Sequence, residues 1–517
     1  MSQRPGNPLF ATKPLSLLLE EMKGENRLRR ILGPLELTAL GVGAVIGTGI
    51  FVLTGVAAHD KAGPALMLSF VAAGLACIFA ALCYAEFASM APVAGSAYTY
   101  AYATLGELFA WIIGWDLILE YAVASMTVAH GWSKNFQDIL QVAGLHVPKA
   151  LSNAPFDYDP ALGRIVGTGS VLDLPAIIIA GLVTWVLVLG IRESAGFNTV
   201  IVIVKVAIVL FVILVGAFYV NPANWVPFAP FGYAGLSFFG HTLFGQTGAG
   251  GEPLGMLAGG AVIFFAYIGF DSVSTHAEEA KNPRRDVPIG IITSLIVCTV
   301  LYIAVAAVLT GMVRYDQIDI EVPVSDAFRQ AGLPWARFLI SAGAVAGITS
   351  VLLVMMLSQP RVWLAMARDG MVSPPFFGAV HSRYRTPWKA TILTGILVAI
   401  GAAFLPLRIL ADLTNIGTLF AFVVVCAAVL IMRRTNPDAE RPFRAPLGSF
   451  VPIAGIVSCL ILMFSLPPEN WVRLGVWLAI GLVIYFTYSR HRTVLARLRR
   501  GEKPITLPGP PPESFGE

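Results

Sequence analysis

Apolar runs of about twenty residues recur along this chain from residue 35 to residue 490, and roughly 20 apolar residues are what a helix needs to cross a bilayer core. Only helices and closed barrels satisfy their own backbone in lipid. A membrane strand alternates apolar and polar side chains over about 10 residues, and these runs do not alternate. The fold class read from the pattern is therefore an all-α polytopic membrane protein. Composition agrees: 56% of the 517 residues are apolar and only 13% are charged, against roughly 25% charged in a soluble protein. A soluble enzyme is excluded. So is a disordered chain, which would be poor in Phe, Leu, Ile and Val, whereas this one has 31 Phe and 10 Trp.

Read against Pro, Gly and charge boundaries, the runs give twelve spans, at about 35–58, 64–90, 105–133, 172–191, 195–220, 258–276, 287–313, 334–367, 387–405, 407–432, 450–466 and 471–490. Of the 35 Lys and Arg, 25 fall on the side of the N-terminus, nine on the other, and Lys205 lies inside a span. Positive residues collect in cytoplasmic loops, so both termini are expected in the cytoplasm. The net charge of +4 is then a topology signal, and no nucleic-acid partner is read from it. About thirty-four largely polar residues precede the first span, so the reading is an uncleaved anchor rather than a signal peptide.

The five Cys, at 77, 83, 298, 426 and 459, lie in apolar runs without C-x-x-C or C/H spacing, and are read as buried side chains rather than a disulfide or metal framework. The seven His form no metal-binding pair. The segment from Tyr219 to Leu257 has no Lys or Arg and carries Gly248, Gly250, Gly251, Gly255, Gly259 and Gly260 across its end. No strand and G-K-[ST] frame it as a phosphate loop, so a flexible outer loop is expected. The tail from Pro504 to Pro512 reads as disordered.

Spans one and six share an irregularity. Residues 44–47 read Ala-Val-Ile-Gly and residues 266–269 read Ala-Tyr-Ile-Gly, each followed by a polar or glycine-containing break. Each opens a block of five spans, and an odd number of spans makes the blocks inverted relative to one another. Inverted repeats with broken helices at matching positions point to a secondary transporter with its site near the midplane. The expected organisation is 1–34 cytoplasmic, 35–220 first repeat, 221–257 outer loop, 258–432 second repeat, 433–490 a loop with two further helices, and 491–517 a tail.

Gly47 and Gly49 bracket Thr48, and glycine weakens a helix interior by about 1 kcal/mol. An opened helix exposes N–H groups on one half and carbonyls on the other, with opposite dipole ends. A carboxylate suits the first and an ammonium the second, and an α-amino acid carries both on one carbon. Thr48, Gly49 and Ile50 are the candidate carboxylate donors; the carbonyls of Val45, Ile46, Ala266 and Ile268 are candidates for the ammonium; Phe270 and Ile348 would line a side-chain pocket. Close helix packing is the competing reading, and Gly43 with Gly47 fits a small-x-x-x-small face.

The stretch LGVGAVIGTGIFVLTG from Leu40 to Gly55 resembles the first helix of the cationic amino acid transporter family, within the amino acid/polyamine/organocation superfamily. FFAYIGFDSVSTHAEEAKNPRRDVPIGI from Phe264 to Ile291, PRVWLAMARDGMVSP from Pro360 to Pro374, and LTNIGTLFAF from Leu413 to Phe422 are similar to that family's later helices, in the same order. The resemblance implies an inverted five-plus-five helix fold with two additional helices, and amino acid transport. It leaves the substrate open, because bacterial members with twelve spans include carriers of neutral amino acids.

Ionisable residues inside a membrane default to a functional reading. Lys205 lies too deep in span five to reach either surface, and an ammonium withdrawn from water yields its proton more readily than one in solution. Sodium-coupled relatives of the implied fold hold a metal ion near the first helix, and proton-coupled members carry a lysine at this position. The resemblance therefore implies that Lys205 binds and releases the carbonyls of the broken first helix; a permanent ion pair is the alternative. Asp116 and Glu120 share one face of span three. Glu120 could partner Lys205, receive the proton, bind a cationic group or serve packing. Asp271 is expected to cap the second half of span six. Glu278, Glu279, Arg284, Arg285, Asp286, Arg361 and Arg368 are inner-gate or interfacial charges. The resulting expectation is a proton-coupled symporter for amino acids in the cell membrane, acting as a monomer in the lipid bilayer, with no metal and no cofactor beyond the proton gradient. An amino acid exchanger is the alternative within transport, and a nutrient receptor outside it. No nucleophile, dyad or metal set suggests an enzyme.

Overall fold

A computed structural model of the chain describes residues 8–14, 32–91, 96–159, 164–190, 195–238, 241–248, 251–384 and 386–502. Most of the N-terminal segment, Arg192, Gly250, Arg385, the side chain of Glu278 and the tail from Pro504 to Pro512 lie outside the described residues. Eight helical stretches among the described residues are long and apolar enough to cross a membrane, and four shorter apolar helices accompany them. The principal helices are α1 (Pro34–Val45), α2 (Leu66–Met90), α3 (Glu107–Val142), α4 (Leu174–Leu189), α5 (Ala195–Gly216), α6 (Met256–Ile263), α7 (Pro283–Met312), α8 (Pro334–Arg368), α9 (Trp388–Phe404), α10 (Leu407–Thr435), α11 (Phe450–Phe464) and α12 (Pro468–Thr487). The chain is an all-α polytopic membrane protein.

Local chemistry sets the helix boundaries. Proline stands in the first turn of α1, α4, α7, α8 and α12, where its missing N–H would have had no partner. Asp173 caps α4 by accepting the N–H of Ala176 at 3.1 Å. Gly190 and Gly370, at φ +77° and +74°, end α4 and α8. The most extensive helix contacts are α3 with α8, α2 with α7, α1 with α7, α3 with α10, α4 with α9 and α10 with α11. The outward faces of α5 and α12 carry exposed Ile203, Leu214, Val472 and Val483, as lipid contact requires. All five cysteines are buried and free of disulfides.

Two connections hold small antiparallel sheets. Strand β1 (Phe156–Asp159) pairs with β2 (Arg164–Gly167) between α3 and α4, while β3 (Leu236–Phe238) pairs with β4 (His241–Phe244) and β5 (Gln246–Thr247) with β6 (Pro253–Leu254) between α5 and α6. The glycine-containing segment expected to be a flexible loop is thus folded. Its glycines permit close packing: a Cβ on Gly255, at φ +133°, would lie 2.6 Å from the Ala234 carbonyl oxygen, and one on Gly259 would lie 2.8 Å from Ala62 Cβ. Gly255 and Gly259 therefore stand where neighbouring chain segments touch.

The first described residues and the segment that follows α12 meet at one end of the bundle. Lys13 pairs with Asp369 at 2.8 Å, the Val494 N–H donates to the Asp369 carbonyl, and Glu107 accepts from Tyr485 and Thr493. Helix α12 docks on α3 through stacked Trp115 and Trp477, 4.4 Å apart, each indole N–H donating to the other residue's carbonyl. Glu86 on α2 accepts from Arg433 at 2.9 and 2.5 Å and from the Ala445 N–H at 2.8 Å. Glu86 is 1% exposed, so Glu86→Ala removes the only carboxylate that faces the Arg433 guanidinium among the described residues and leaves it the Gly448 and Ala445 carbonyls. Breaking a buried pair in this way costs about 3–5 kcal/mol. Thermal unfolding in detergent is expected to show that loss for Glu86→Ala and partial recovery in the Glu86→Ala/Arg433→Ala double variant; equal stability of Glu86→Ala and the parent would contradict this assignment.

Candidate functional site

Helices α1 and α6 both open in mid-course. After α1 ends, Ile46 is extended at φ −72°, ψ 102°, and helix resumes over Gly49–Leu53 as a wide π-type turn. After α6, a tight turn over Phe264–Tyr267 leads to extended Ile268 and to Gly269 at φ +122°, and helix resumes over Ser272–Thr275. The breaks touch. A Cβ on Gly49 would lie 2.3 Å from Ala266 Cα, and one on Gly269 would lie 2.8 Å from the Ala44 carbonyl oxygen. Both glycines are therefore required by close approach, and Gly269 also by its left-handed backbone.

Side chains from α5, α7 and α8 satisfy the opened carbonyls. Lys205 Nζ, fully buried, donates to Gly43 O at 2.6 Å and Ile46 O at 3.0 Å. The Ser350 hydroxyl bonds Gly347 O and stands 3.3 Å from Gly43 O. The Tyr302 hydroxyl lies 2.8 Å from Val45 O and 2.9 Å from Ala266 O, so one proton serves a carbonyl from each broken helix. Three carbonyls considered for the substrate ammonium, those of Val45, Ile46 and Ala266, thus already accept bonds, each through one of its two lone pairs.

The N–H side differs. Among the described residues, the N–H groups of Gly47, Thr48 and Gly49 donate to no backbone carbonyl, while Ile50 N–H bonds Gly47 O at 3.2 Å. The N–H groups of the break left without a backbone acceptor are therefore those of Gly47, Thr48 and Gly49, while that of Ile50 is spent on its own turn. The Thr48 hydroxyl is buried without a partner. Ile268 N–H bonds Phe265 O. Phe270 is fully buried, its ring 5.1 Å from Phe422 and 6.2 Å from Tyr84. Ile348 is fully buried on α8, next to Gly347, whose face lies against Lys205.

Glu120 does not pair with Lys205 among the described residues. Both its carboxylate oxygens are buried without a hydrogen bond, as are those of Asp116, and its electrostatic neighbours are Asp271 and Asp116. Asp271 does not cap the following turn with its side chain. It accepts instead from Gly269 N–H at 3.2 Å and from Tyr121 at 2.9 Å, tying α3 to the α6 break. Of the charges considered for an inner gate, Arg361 meets Glu279 at 3.1 Å and His276 at 2.7 Å. Arg284 pairs with Glu440, and Asp286 accepts from its own helix start. Tyr302 and Ser350 were not singled out in the sequence: a hydroxyl in an apolar helix carries no mark of carbonyls far away in the chain.

The profile of a family described as amino acid permease matches residues 32–486. The methylthioribose transporter of Bacillus subtilis is 46% identical over 94% of this chain and 99% of its own length. A branched-chain amino acid permease of the same organism is 47% identical over 94% and 99%. A vacuolar cationic amino acid transporter of Arabidopsis thaliana is 39% identical over 82% of this chain and 66% of its own length.

Tyr302→Phe keeps the ring packed on Phe70 and Tyr267, 5.4 and 5.6 Å away, and removes only the shared proton. A buried acceptor left without its donor costs about 1–3 kcal/mol. Thermal unfolding of Tyr302→Phe is expected to show that cost, together with weaker ligand binding at the breaks. A variant with unchanged stability and unchanged affinity would mean that the hydroxyl does not hold the two helices together.

Proposed function

We propose that this chain, which belongs to the amino acid permease family, is a secondary active amino acid transporter that imports its substrate with protons by alternating access. It is a transport protein, not an enzyme. The single observation that carries the mechanism is the contact between two opened helices whose carbonyls are held by Lys205 and Tyr302 while the N–H groups of Gly47, Thr48 and Gly49 are left for a ligand.

In this reading the chain crosses the cell membrane twelve times, as two inverted five-helix repeats followed by α11 and α12, with both termini in the cytoplasm. The excess of Lys and Arg on one side supports the orientation. The meeting of Lys13, Asp369 and Val494 at one end supports placing both termini together. The pairing of α2 with α7, α3 with α8 and α4 with α9 supports the repeat, since each helix packs on the one five positions later.

The substrate carboxylate binds the N–H groups around Thr48 and Gly49, and the ammonium takes the remaining lone pairs of Val45, Ile46, Ala266 or the carbonyl of Ile268. Phe270 and Ile348 favour a neutral, apolar side chain, in keeping with the relative named for branched-chain amino acids. The relative named for methylthioribose, a thio-sugar, puts that compound on the test panel as well. Protonated Lys205 holds Gly43 and Ile46; once neutral, it has no positive charge with which to hold them, and the first helix is free to rearrange. Glu120, unpartnered and close to Asp271, is the second group available to carry a proton.

Uptake of L-leucine, L-alanine, L-arginine and methylthioribose into proteoliposomes, with and without an inward proton gradient, tests the proposal. A neutral amino acid should accumulate only with the gradient. Lys205→Ala should lose that accumulation and keep counterflow exchange. A Lys205→Ala protein that still concentrates substrate against its gradient would move the proton from Lys205 to another residue.

A further inference from the structure

The segment that follows α12 carries cations for which the broken helices have no use. From Ser489 to Glu502 it holds Arg490, Arg492, Arg497, Arg499 and Arg500 against a single acid, Glu502. Arg497 and Arg500 pair with Glu502 at 3.2 and 2.8 Å. Among the described residues, Arg490, Arg492 and Arg499 enter no ion pair, and all three are exposed. The acids nearby are already engaged: Glu107 accepts from Tyr485 and Thr493, and Asp369 from Lys13 and Tyr98.

The segment is anchored to the bundle at several points. The Ser489 hydroxyl donates to Met371 O at 2.6 Å, the Val494 N–H to Asp369 O at 2.9 Å, and Arg500 to His491 O at 2.8 Å. Arg492 lies over the Tyr488 ring, 4.4 Å from its centre. Arg490 and Arg499 are both within electrostatic reach of the Tyr485 hydroxyl. The three unpaired guanidiniums are thus gathered around the last turn of α12.

Their depth selects the ligand. On α12, Val476, Ile480 and Val483 are exposed at four- and three-residue spacing, so one face of the helix meets lipid tails. Phe486 is exposed just beyond them, and Arg490 and Arg492 follow within six residues, at the level of the headgroups. Basic residues clustered immediately beside a membrane helix attract anionic lipid, and a guanidinium offers two parallel N–H donors to phosphate oxygens. A zwitterionic phospholipid brings its own ammonium, which unpaired arginines repel; a headgroup without a cation leaves the whole phosphate charge to them. We propose that Arg490, Arg492 and Arg499 bind one anionic phospholipid of the phosphatidylglycerol class, its phosphate on the guanidiniums and its acyl chains along Val476, Ile480 and Val483. The bound headgroup fastens the segment that joins the start of α3, at Glu107, to the end of α8, at Asp369. The inference needs only that α12 crosses the membrane, and is independent of the substrate and of proton coupling.

Native mass spectrometry of the full chain, stripped of lipid in a non-ionic detergent and titrated with dioleoylphosphatidylglycerol or dioleoylphosphatidylcholine, provides the test. One phosphatidylglycerol is expected to bind roughly tenfold more tightly than phosphatidylcholine. Arg490→Gln/Arg492→Gln/Arg499→Gln should abolish that preference, while Arg434→Gln/Arg444→Gln, which removes charge from exposed positions after α10, should keep it. Equal affinity for the two lipids in the parent would overturn the inference. So would equal loss in both variants, because a diffuse positive field and not this cluster would then attract the lipid. Since the triple variant could loosen the segment, thermal unfolding of the unaltered chain gives a second reading. Phosphatidylglycerol should raise the melting temperature by several degrees at concentrations where phosphatidylcholine and inorganic phosphate do not. An equal rise with inorganic phosphate would mean a site for free anions, and no rise would mean no bound lipid; either result overturns the inference.

Discussion

Backbone polarity inside a bilayer is the constraint on which this structure depends. A carbonyl freed by opening a helix in hydrocarbon has no water to turn to, and each unsatisfied group costs several kcal/mol. Two helices open here, and the chain supplies their missing donors from elsewhere: an ammonium from α5, a phenol from α7 and a hydroxyl from α8. These donors also join elements. Lys205 fastens α5 to α1, and Tyr302 fastens α7 to both breaks at once. The contact between the breaks needs glycine at 49 and 269, because any side chain would displace backbone.

Donors and carbonyls are treated unequally. At the α1 break the carbonyls of Gly43, Val45 and Ile46 each accept a side-chain bond, whereas among the described residues the N–H groups of Gly47, Thr48 and Gly49 donate to no backbone carbonyl. That asymmetry leaves N–H dipoles at the break of the kind that suit an anionic group. Behind it, Asp116, Glu120 and Asp271 gather without a cationic partner among their described contacts. At the two ends of the bundle, Arg361 pairs with Glu279 within the second helical block, and Arg408 of the second block pairs with Asp60 of the first.

Much of this was legible in the sequence, for physical reasons that can be named. Membrane helices are written in composition, because lipid tolerates few alternatives. The breaks are written in Gly47, Thr48 and Gly49, since glycine in a helix interior is unfavourable without a reason. Lys205 stood out because a cation is costly in an apolar run. What could not be read was pairing at long range. Tyr302 looks like any aromatic in a span, and its partners Val45 and Ala266 are 257 and 36 residues away. The partners open to Glu120 included Lys205, yet the fold sets Glu120 among carboxylates. Glycines in the loop between α5 and α6 suggest flexibility on sequence grounds alone; close contacts such as Gly255 on Ala234 are set by neighbours that sequence spacing does not reveal.

The central claim is that the two breaks form one site that opens to each side of the membrane in turn. Its most direct measurement is the accessibility of Thr48→Cys, in a chain whose five native cysteines are replaced by alanine, to an impermeant thiol reagent applied from one face or the other of oriented vesicles. The account predicts modification from both faces, with substrate and proton gradient shifting the ratio between them. Modification from a single face under every substrate and gradient condition would contradict alternating access and favour a receptor.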